Sequence, residues 1–397
     1  MHVRLQDTPR CSRTRLIKTE MRLIMKPIMF LYSMTALLVA GNASAVDFKF
    51  SGFGSLIAGY TSGSCTTDNT LSDRFNASCT RYIADWAHAG VYTPDIDIKP
   101  ESKLGLQGSV RFSPSVSFTS QLVARAADVK QVSLEWAYLT WDINPEWTVQ
   151  VGRKRLPLFY YSDSQDVGYS YPWLRLPPDV YGWDAVNYNG ASTTYRKVLG
   201  SWSLKADAFA GTESSKNSAY AKLYYTEPKT INWNNIVGGD LELNKEWLTF
   251  RLTFIHSGYE QFDQATNTRD VWPSGAYTGK QTIYGASLNI DTEHLVVRSE
   301  YSVFDRGSFQ YTAHAWMMGV GSPLGKWTPM LTASSYVEST RFPDGYVPSN
   351  WGDLAFSVRY DLTQSSALKF QVDHLHDGPN TFMGNANTIA VSYDFIF

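Results

Sequence analysis

The histidines are the first residues to test for chemistry, because imidazole is both a common metal ligand and a common general base. His374 and His376 alternate along one predicted strand and Asp377 follows them, a spacing that would place two ligands on one face. No third ligand lies at a suitable spacing, and the other strand histidines have no evident Ser or Asp partner for a triad. We therefore expect no enzyme, no metal site and no cofactor.

The composition limits the class of protein. Only 18% of the 397 residues are charged while 14% are aromatic, against about 25% charged in an average soluble protein. The formal net charge of -2 and the dispersed basic residues argue against a nucleic-acid partner. After the first 45 positions, no apolar run reaches the roughly 18 residues that a membrane-spanning helix requires.

The N-terminal segment has the pattern of a secretory leader. A short basic stretch, 21–26, precedes an apolar run over 27–40, and small residues follow up to Ala45. We expect cleavage after Ala45, which leaves 46–397 as one exported domain. An anchoring helix is the alternative interpretation of the same segment.

Two cysteines remain after the leader is removed. Cys65 and Cys79 lie in one polar stretch, and an exported protein folds in an oxidising compartment. We therefore expect a disulfide between them. A metal site is the alternative, although no His or third Cys accompanies the pair.

Apolar and polar residues alternate with period two along most of the remaining chain, which predicts β-strands. In the last strand, for example, Ile389, Val391 and Tyr393 share one face while Ala390 and Ser392 share the other. We predict sixteen strands: 47–60, 102–112, 116–126, 131–142, 146–155, 183–195, 198–210, 231–243, 246–257, 280–291, 294–304, 308–320, 325–337, 351–361, 366–376 and 386–397.

The connections separate a membrane barrel from a soluble sandwich. Short turns such as 113–115 alternate with much longer connections such as 61–101, 156–182 and 211–230. Short turns at one end and long loops at the other are typical of transmembrane β-barrels, whose closure leaves no unpaired edge in lipid. The sequence therefore predicts an all-β transmembrane antiparallel barrel of sixteen strands. Nine aromatic residues near strand ends are expected to form interfacial girdles: Trp136, Tyr138, Trp141, Trp147, Trp202, Trp233, Trp247, Trp327 and Tyr393.

Three short segments carry a resemblance to a known family. They are Ser102–Gly108, Val149–Arg153 and the aromatic C-terminus Tyr393–Phe397. Together with the leader and the loop order, they make residues 46–397 similar to the general porins, sixteen-stranded trimeric channels of the Gram-negative outer membrane. The resemblance implies passive diffusion of ions and small hydrophilic solutes, a homotrimer, and contact with outer-membrane lipid and lipopolysaccharide. It also implies that Tyr393, Phe395 and Phe397 form the signal read by the barrel assembly machinery.

The resemblance further implies that the third long loop, 156–182, folds into the lumen and sets acids against basic residues of the wall. That loop contains Asp163 and Asp166. By strand parity, Arg111 and Arg125 face the lumen. This loop lacks the acidic-Phe-Gly tip of the family and carries Tyr-Pro-Trp instead, so a channel selective for a sugar or an anion is an alternative.

Two further arginines complete the predicted constriction. Strict alternation would place Arg153 and Arg155 in lipid, where an arginine costs roughly 2–4 kcal/mol, so a bulge or an early strand end near Gly152 is expected to turn at least one inward. Our hypothesis is that Arg111, Arg125, Arg153 and Arg155 face Asp163 and Asp166 across a narrow opening. A structural network that holds the loop against the wall is the alternative, and both can hold. A non-conducting receptor or adhesin barrel is the rival function.

Overall fold

The structure of the chain is a computed structural model. It describes residues 47–64, 80–127, 132–272, 274–341, 347–378 and 383–397. The predicted leader 1–45, with its cleavage after Ala45, and the predicted disulfide between Cys65 and Cys79 lie outside the described residues.

A closed antiparallel barrel of sixteen strands forms the body of the protein. Its first strand, β1, pairs with the last strand on one side and with the next barrel strand on the other, so the sheet has no free edge. The barrel strands are β1 (Asp47–Gly63), β4 (Lys103–Ser113), β5 (Val116–Arg125), β6 (Val132–Asp142), β7 (Trp147–Arg155), β8 (Asn187–Leu199), β9 (Trp202–Lys216), β10 (Lys229–Lys245), β11 (Leu248–Asp263), β12 (Thr278–Asp291), β13 (Val296–Arg306), β14 (Tyr311–Gly321), β15 (Trp327–Thr340), β16 (Asn350–Thr363), β17 (Ser366–Asp377) and β18 (Ala386–Ile396).

The predicted sixteen strands all occur, in the predicted order. A small hairpin of β2 (Tyr82–Asp85) and β3 (Gly90–Tyr92) lies in the first long connection, where no strand was predicted. One short helix, α1 (Pro178–Tyr181), lies in the third long loop. None of the helices in the described segments is long and apolar enough to cross a membrane.

The barrel is apolar outside and polar inside, the inverse of a soluble domain. On β18, Ile389 and Val391 are 49% and 50% exposed, whereas Thr388 and Ser392 are buried on the lumen side. The same alternation runs round the wall, with Leu139 and Leu252 among the exposed apolar side chains. An outer surface of this kind is stable only in contact with lipid, which is why the period-two pattern is so regular.

The girdle prediction is correct at the end of the barrel that carries the short turns. Trp141, Trp147, Trp247 and Trp327 are exposed there, each beside a short turn. It is wrong for three residues that lie on the inner side instead: Trp136, Tyr138 and Trp233. Register shifts next to two of them, at positions 121–122 opposite Trp136 and at 233–236, change which face the side chains occupy.

The turn between β8 and β9 is displaced from its predicted position. The sequence was expected to reverse at 196–197, but β8 continues to Leu199 and β9 begins at Trp202. Gly200 takes a φ of +65°, which L-residues adopt at a cost and glycine adopts freely. The two-residue turn 200–201 therefore forms at the glycine rather than at the polar pair before it.

The seam between β1 and β18 packs aromatic rings over glycines. A Cβ atom on Gly52 would lie 2.3 Å from the Phe397 ring, and one on Gly54 would lie 2.5 Å from the Phe395 ring. Backbone hydrogen bonds of 2.8 and 3.0 Å join Gly52 and Phe397 in both directions. The small outward residues of β1 therefore make room for the chain's own C-terminus.

Candidate pore constriction

The third long loop, residues 156–186, lies inside the barrel. Trp173 and Leu174 are 0% and 1% exposed, and Tyr181 on α1 is also buried. Short 3-10 turns at Ser162–Ser164 and Gly168–Ser170 compact the first half of the loop. The inward fold of the third loop is as the sequence predicted.

A buried ion cluster fixes the start of this loop to the wall. Arg125 donates to Glu135 and to Asp166, each at 2.7 Å. Arg155 donates to the same Asp166 oxygen and lies 3.3 Å from Glu135, while Lys103 lies 3.7 Å from Asp166. Burial alone would raise the pKa of Asp166, but Arg125 and Arg155 hold that pKa well below its usual range. We call these five residues the anchor cluster.

A bulge on β6 supplies the second acid of the anchor cluster. Gln121 pairs with Trp136 and Leu122 pairs with Leu134, so Glu135 has no partner of its own in the register. Two consecutive side chains, Glu135 and Trp136, then point inward, because a bulge breaks the alternation of faces. Sequence reasoning missed Glu135 because nothing in the residue pattern marks this break.

The tip of the loop reaches the opposite wall, near the short turns. Lys369 on β17 donates to the carbonyls of Gly168 and Trp173, and Arg359 on β16 donates to those of Tyr169 and Tyr171. Both side chains thus donate hydrogen bonds to backbone carbonyl groups of the loop that have no partner in a strand. The loop is thus held by backbone contacts on this side.

Further contacts hold the second half of the loop. Arg175 is bonded to Glu101 in the first long connection and to Asp373 on β17. The Trp173 indole donates to Thr332 at 2.7 Å. Ser334 donates to Asp179 at 2.7 Å, and burial raises the pKa of Asp179 to about 7.

A third set of contacts lies on β11 and β13. The Glu300 carboxylate accepts from the Tyr160 amide at 3.2 Å and from the Tyr181 hydroxyl at 2.8 Å. Arg251 donates to the carbonyls of Phe159 and Pro157 at 2.7 and 3.0 Å. Together with the contacts of the anchor cluster and of the loop tip, these hydrogen bonds fix the loop along its course across the lumen.

The predicted site residues separate into groups. Arg125, Arg155 and Asp166 meet in the anchor cluster. Asp163 is exposed and instead lines a cavity beneath the loop. Arg153 follows Gly152, whose φ is +140°, and pairs with Glu213 at 2.9 Å rather than with an acid of the loop.

Arg111 does not join the others. It lies eight residues further along β4 than Lys103, which is about 27 Å at roughly 3.4 Å per residue. Its side chain is exposed beside the short turn, so the expectation that it faces the loop acids is wrong. Strand alternation assigns Arg111 to the lumen face of β4 but does not give its position along the strand. That position is too far from the loop acids for a contact.

The two histidines of β17 do not form a cluster with acidic residues in the part of the chain that the structure describes. His374 and His376 are exposed on β17, and His374 contacts Asn387 at 2.7 Å. Asp377 is buried and accepts hydrogen bonds from the amides of Met383 and Gly384. The aspartate therefore closes a loop and does not extend the histidine pair.

An opening remains on one side of the lumen, between the loop and the strands β6–β11. It is a cavity of about 520 Å³. Asp163 faces it from the loop, whereas Lys154, Arg196 and Lys205 face it from the wall. Lys154 bonds Ser192 at 2.8 Å and Lys205 pairs with Asp207 at 2.6 Å. The wall also contributes the acids Asp207 and Glu242, but its bases are in excess and stand against Asp163 of the loop. Of the four predicted arginines, Arg155 is among the residues that line this cavity.

Solved structures of outer-membrane proteins have this fold. The outer membrane channel DcaP of Acinetobacter baumannii is similar over 91% of this chain and 100% of its own, with a TM-score of 0.59 and 10% identity. The anion-selective porin from Comamonas acidovorans covers 89% and 100%, with a TM-score of 0.54 and 12% identity. Salmonella typhi OmpF, in complex with daunomycin, covers 88% and 97%, with a TM-score of 0.56 and 9% identity.

At these identities the likeness defines the fold alone. No family model matches the chain. No curated protein matches it either. The chain therefore has the fold of the sixteen-stranded porins of the Gram-negative outer membrane, and the predicted outer-membrane barrel is confirmed at that level.

Proposed function

We propose that the protein is a channel of the Gram-negative outer membrane for the passive diffusion of ions and small hydrophilic solutes, narrowed by the loop 156–186. One observation carries the proposal: the loop crosses the lumen and leaves a cavity of about 520 Å³ along β6–β11. A water-filled lumen in a barrel of this size needs such a constriction to retain selectivity.

The charges of that cavity support a role in selectivity. Asp163 on the loop stands against Lys154 and Lys205 on the wall, so a permeating ion would cross a transverse field. The anchor cluster would instead hold the loop against the wall, since Arg125, Glu135, Arg155 and Asp166 are buried and bonded to one another. We therefore propose that both alternatives hold, the charged constriction and the network that holds the loop, with different residues for each.

Single-channel recording tests the proposal. The refolded protein is placed in a planar bilayer with a salt gradient, after its folding has been checked by circular dichroism. We expect stepwise conductance and a measurable reversal potential. Silence from correctly folded protein would contradict the channel and favour the receptor or adhesin.

We further propose a homotrimer. One solved structure with this fold, OmpT of Vibrio cholerae, is described in a trimer form. Beside β1, Ile96 and Ile98 are 81% and 53% exposed on a segment of the first long connection, which supports an apolar contact surface there. Light scattering of the detergent-solubilised protein should give the mass of three chains; the mass of one chain would contradict the trimer.

The C-terminal aromatics are proposed as the assembly signal. Tyr393 and Phe397 are 39% and 57% exposed on the outer face, where assembly machinery, lipid and lipopolysaccharide would meet them. Phe397→Ala should lower the amount of folded protein in the outer membrane, whereas Phe48→Ala, another outward phenylalanine, should not. An equal loss in both variants would mean that the effect is general packing.

Two proposals concern segments outside the described residues. Cleavage after Ala45 should give a mature N-terminus at Val46 by mass spectrometry. The Cys65–Cys79 disulfide should appear as a linked peptide that separates on reduction. A longer N-terminus or unlinked peptides would contradict the respective proposal.

A further inference from the structure

The histidine pair of β17, His374 and His376, points away from the lumen. Both side chains are exposed, whereas Leu375 between them is buried on the lumen side. Side chains two positions apart on a strand share a face, and their Cα atoms lie about 7 Å apart. The two imidazoles therefore stand side by side on the outer surface of the wall.

The pair lies where the apolar part of the outer surface ends. Towards the short turns, the outward residues of β17 are apolar, among them Leu368 and Phe370. The strand ends at Asp377, directly after the pair. The same change occurs on β18, where the outward residues pass from the apolar Ile389 to the polar Asn387. The imidazoles thus lie at the boundary of the lipid-facing band, where an ion from water can reach them.

A neighbouring amide orients the first ring. The Nδ1 atom of His374 lies 2.7 Å from Oδ1 of Asn387, its partner in the register with β18. An amide oxygen can only accept, so Nδ1–H donates and the ring's lone pair is on Nε2. In the part of the chain that the structure describes, this Nε2 has no hydrogen-bond partner. Histidine ligands of metal ions are oriented in the same way, by a hydrogen bond from the nitrogen that does not bind the metal.

The second ring is accessible as well. Among the described residues, the His376 imidazole makes no hydrogen bond and no ion pair. Its register partner on β16 is Gly352, which has no side chain to cover the ring. The register partners of His374 are Leu354 and Asn387, which are both uncharged. No fixed charge at these paired positions therefore repels a cation.

Two neutral imidazole nitrogens select the class of ion. Nitrogen ligands suit the late divalent transition metals, of which Cu²⁺ binds most strongly, ahead of Ni²⁺ and Zn²⁺. Ca²⁺ and Mg²⁺ take oxygen ligands instead. Within the described residues, no group of three or more His, Cys, Asp or Glu side chains is placed to hold a metal ion. Water would fill the remaining positions, so the ion would exchange, unlike a structural metal enclosed by four protein ligands.

We propose that His374 and His376 chelate a divalent transition-metal ion, Cu²⁺ in preference to Ni²⁺ or Zn²⁺, on the outer face of the barrel, and that Asn387 positions His374. The sequence has no third ligand, and we therefore expected no metal site; two oriented imidazoles with water in the other positions are enough for reversible binding. The site does not use the lumen, so it is independent of the proposed channel function.

Calorimetric titration of the folded protein in detergent, without an affinity tag and near neutral pH, tests the binding. The probes are Cu²⁺, Ni²⁺ and Zn²⁺, with Mg²⁺ and inorganic phosphate as comparisons in separate titrations. We expect saturable binding of one Cu²⁺ per chain, weaker binding of Ni²⁺ and Zn²⁺, and no binding of Mg²⁺ or phosphate. No saturation at about 1 mM Cu²⁺ would overturn the proposal, as would equal binding of Mg²⁺, or binding of phosphate without Cu²⁺.

Variants then assign the binding to the histidine pair. Both histidines are exposed, so His374→Gln and His376→Gln should leave the fold intact. Each should weaken Cu²⁺ binding by about tenfold or more, since loss of a ligand costs at least as much as loss of a group that orients one. The control is His314→Gln, which removes an imidazole of β14 that contacts Tyr301 and has no second histidine on its strand. Wild-type affinity in either β17 variant, or an equal loss in the control, would overturn the assignment.

The positioning role of Asn387 has a separate test. Asn387→Ala removes the acceptor and should weaken Cu²⁺ binding about tenfold, whereas Asn387→Asp supplies a carboxylate acceptor and should keep the affinity. The electron paramagnetic resonance spectrum of bound Cu²⁺ should show coupling to imidazole nitrogens in the wild type. Wild-type affinity in Asn387→Ala, or an equal loss in Asn387→Asp, would contradict the positioning role. A spectrum with oxygen ligands alone would overturn the chelate itself.

Discussion

The two sides of the lumen are built in opposite ways. Along β15–β18 and β4–β5, the loop 156–186 fills the space, and its charged groups are buried and bonded to one another or to carbonyls. On the other side an open cavity remains between the loop and the wall, lined by charged side chains such as Asp163 and Lys154, and the loop is bonded to the wall only at the margins of this cavity, by Arg155 and Arg251. The difference teaches that position, and not residue type, decides what a lumenal charge can do: buried charges hold the loop, whereas exposed charges are the ones that a solute would meet under the proposed function.

The largest effect on stability should come from the side of the lumen that the loop fills, which we call the filled side. Asp166→Asn leaves Arg125 and Arg155 buried with Glu135 as their single remaining acid in the anchor cluster. Removal of one partner from a buried ion pair costs about 3–5 kcal/mol. Urea unfolding in detergent, followed by circular dichroism, should show this loss of stability.

The matched control is Asp163→Asn, three residues away in the same loop. Asp163 is exposed, so its replacement should change the free energy of unfolding by less than about 0.5 kcal/mol. If both variants unfold at the same urea concentration as the wild type, the anchor cluster does not stabilise the barrel.

The next effect is a pH dependence, also on the filled side. Burial raises the pKa of Asp179 from 3.8 to about 7, with Asp373 adding to it and Ser334 opposing it. Between pH 4 and pH 7, the folded protein keeps a proton that the unfolded chain has released. The contribution of Asp179 to stability therefore falls as the pH rises through this window, by on the order of 2–4 kcal/mol.

Asp179→Asn isolates this contribution. The variant should lose less stability than the wild type between pH 5 and pH 8 in parallel urea titrations. Asp163→Asn should keep the wild-type dependence. A variant at position 179 with the wild-type slope would show that the carboxyl does not titrate in this range.

The smallest effect on stability, and the clearest on permeation, is expected on the open side. Lys154→Gln removes a positive charge that lines the cavity opposite Asp163. The reversal potential in a salt gradient should shift toward cation preference, while stability changes by less than about 1 kcal/mol. Arg111→Gln removes the same charge at the short-turn end of β4, where Arg111 does not line the cavity, and should leave the potential unchanged. Equal shifts in both variants would mean that the cavity does not determine selectivity.

The strands could be predicted because lipid imposes the pattern. Most outward residues must be apolar, so residues such as Leu252 and Val391 mark their strands without knowledge of the neighbours. The displaced turn at Gly200 and the β6 bulge could not be found this way. A bulge changes one hydrogen-bond register and leaves the composition unchanged.

The site was predictable only in part, for a related reason. Arg125 could be selected by strand parity and Asp166 by the resemblance, and the two side chains do meet. Glu135, which completes the anchor cluster, is turned inward by a bulge that leaves no sequence signal. Arg111 has the right parity at the wrong depth, since alternation reports the face of a strand and not the distance along it.

The glycine seam between β1 and β18 has a consequence for the order of events in folding. Gly52 and Phe397 are separated by nearly the whole barrel sequence, yet they share hydrogen bonds and ring contacts. Contacts between such distant positions close late, because the loop entropy must be overcome first. Both edges of the sheet thus stay unpaired until β18 has paired with β1. A barrel in which β1 and β18 have not paired is an open sheet in lipid, however well the other fifteen strand pairs have formed.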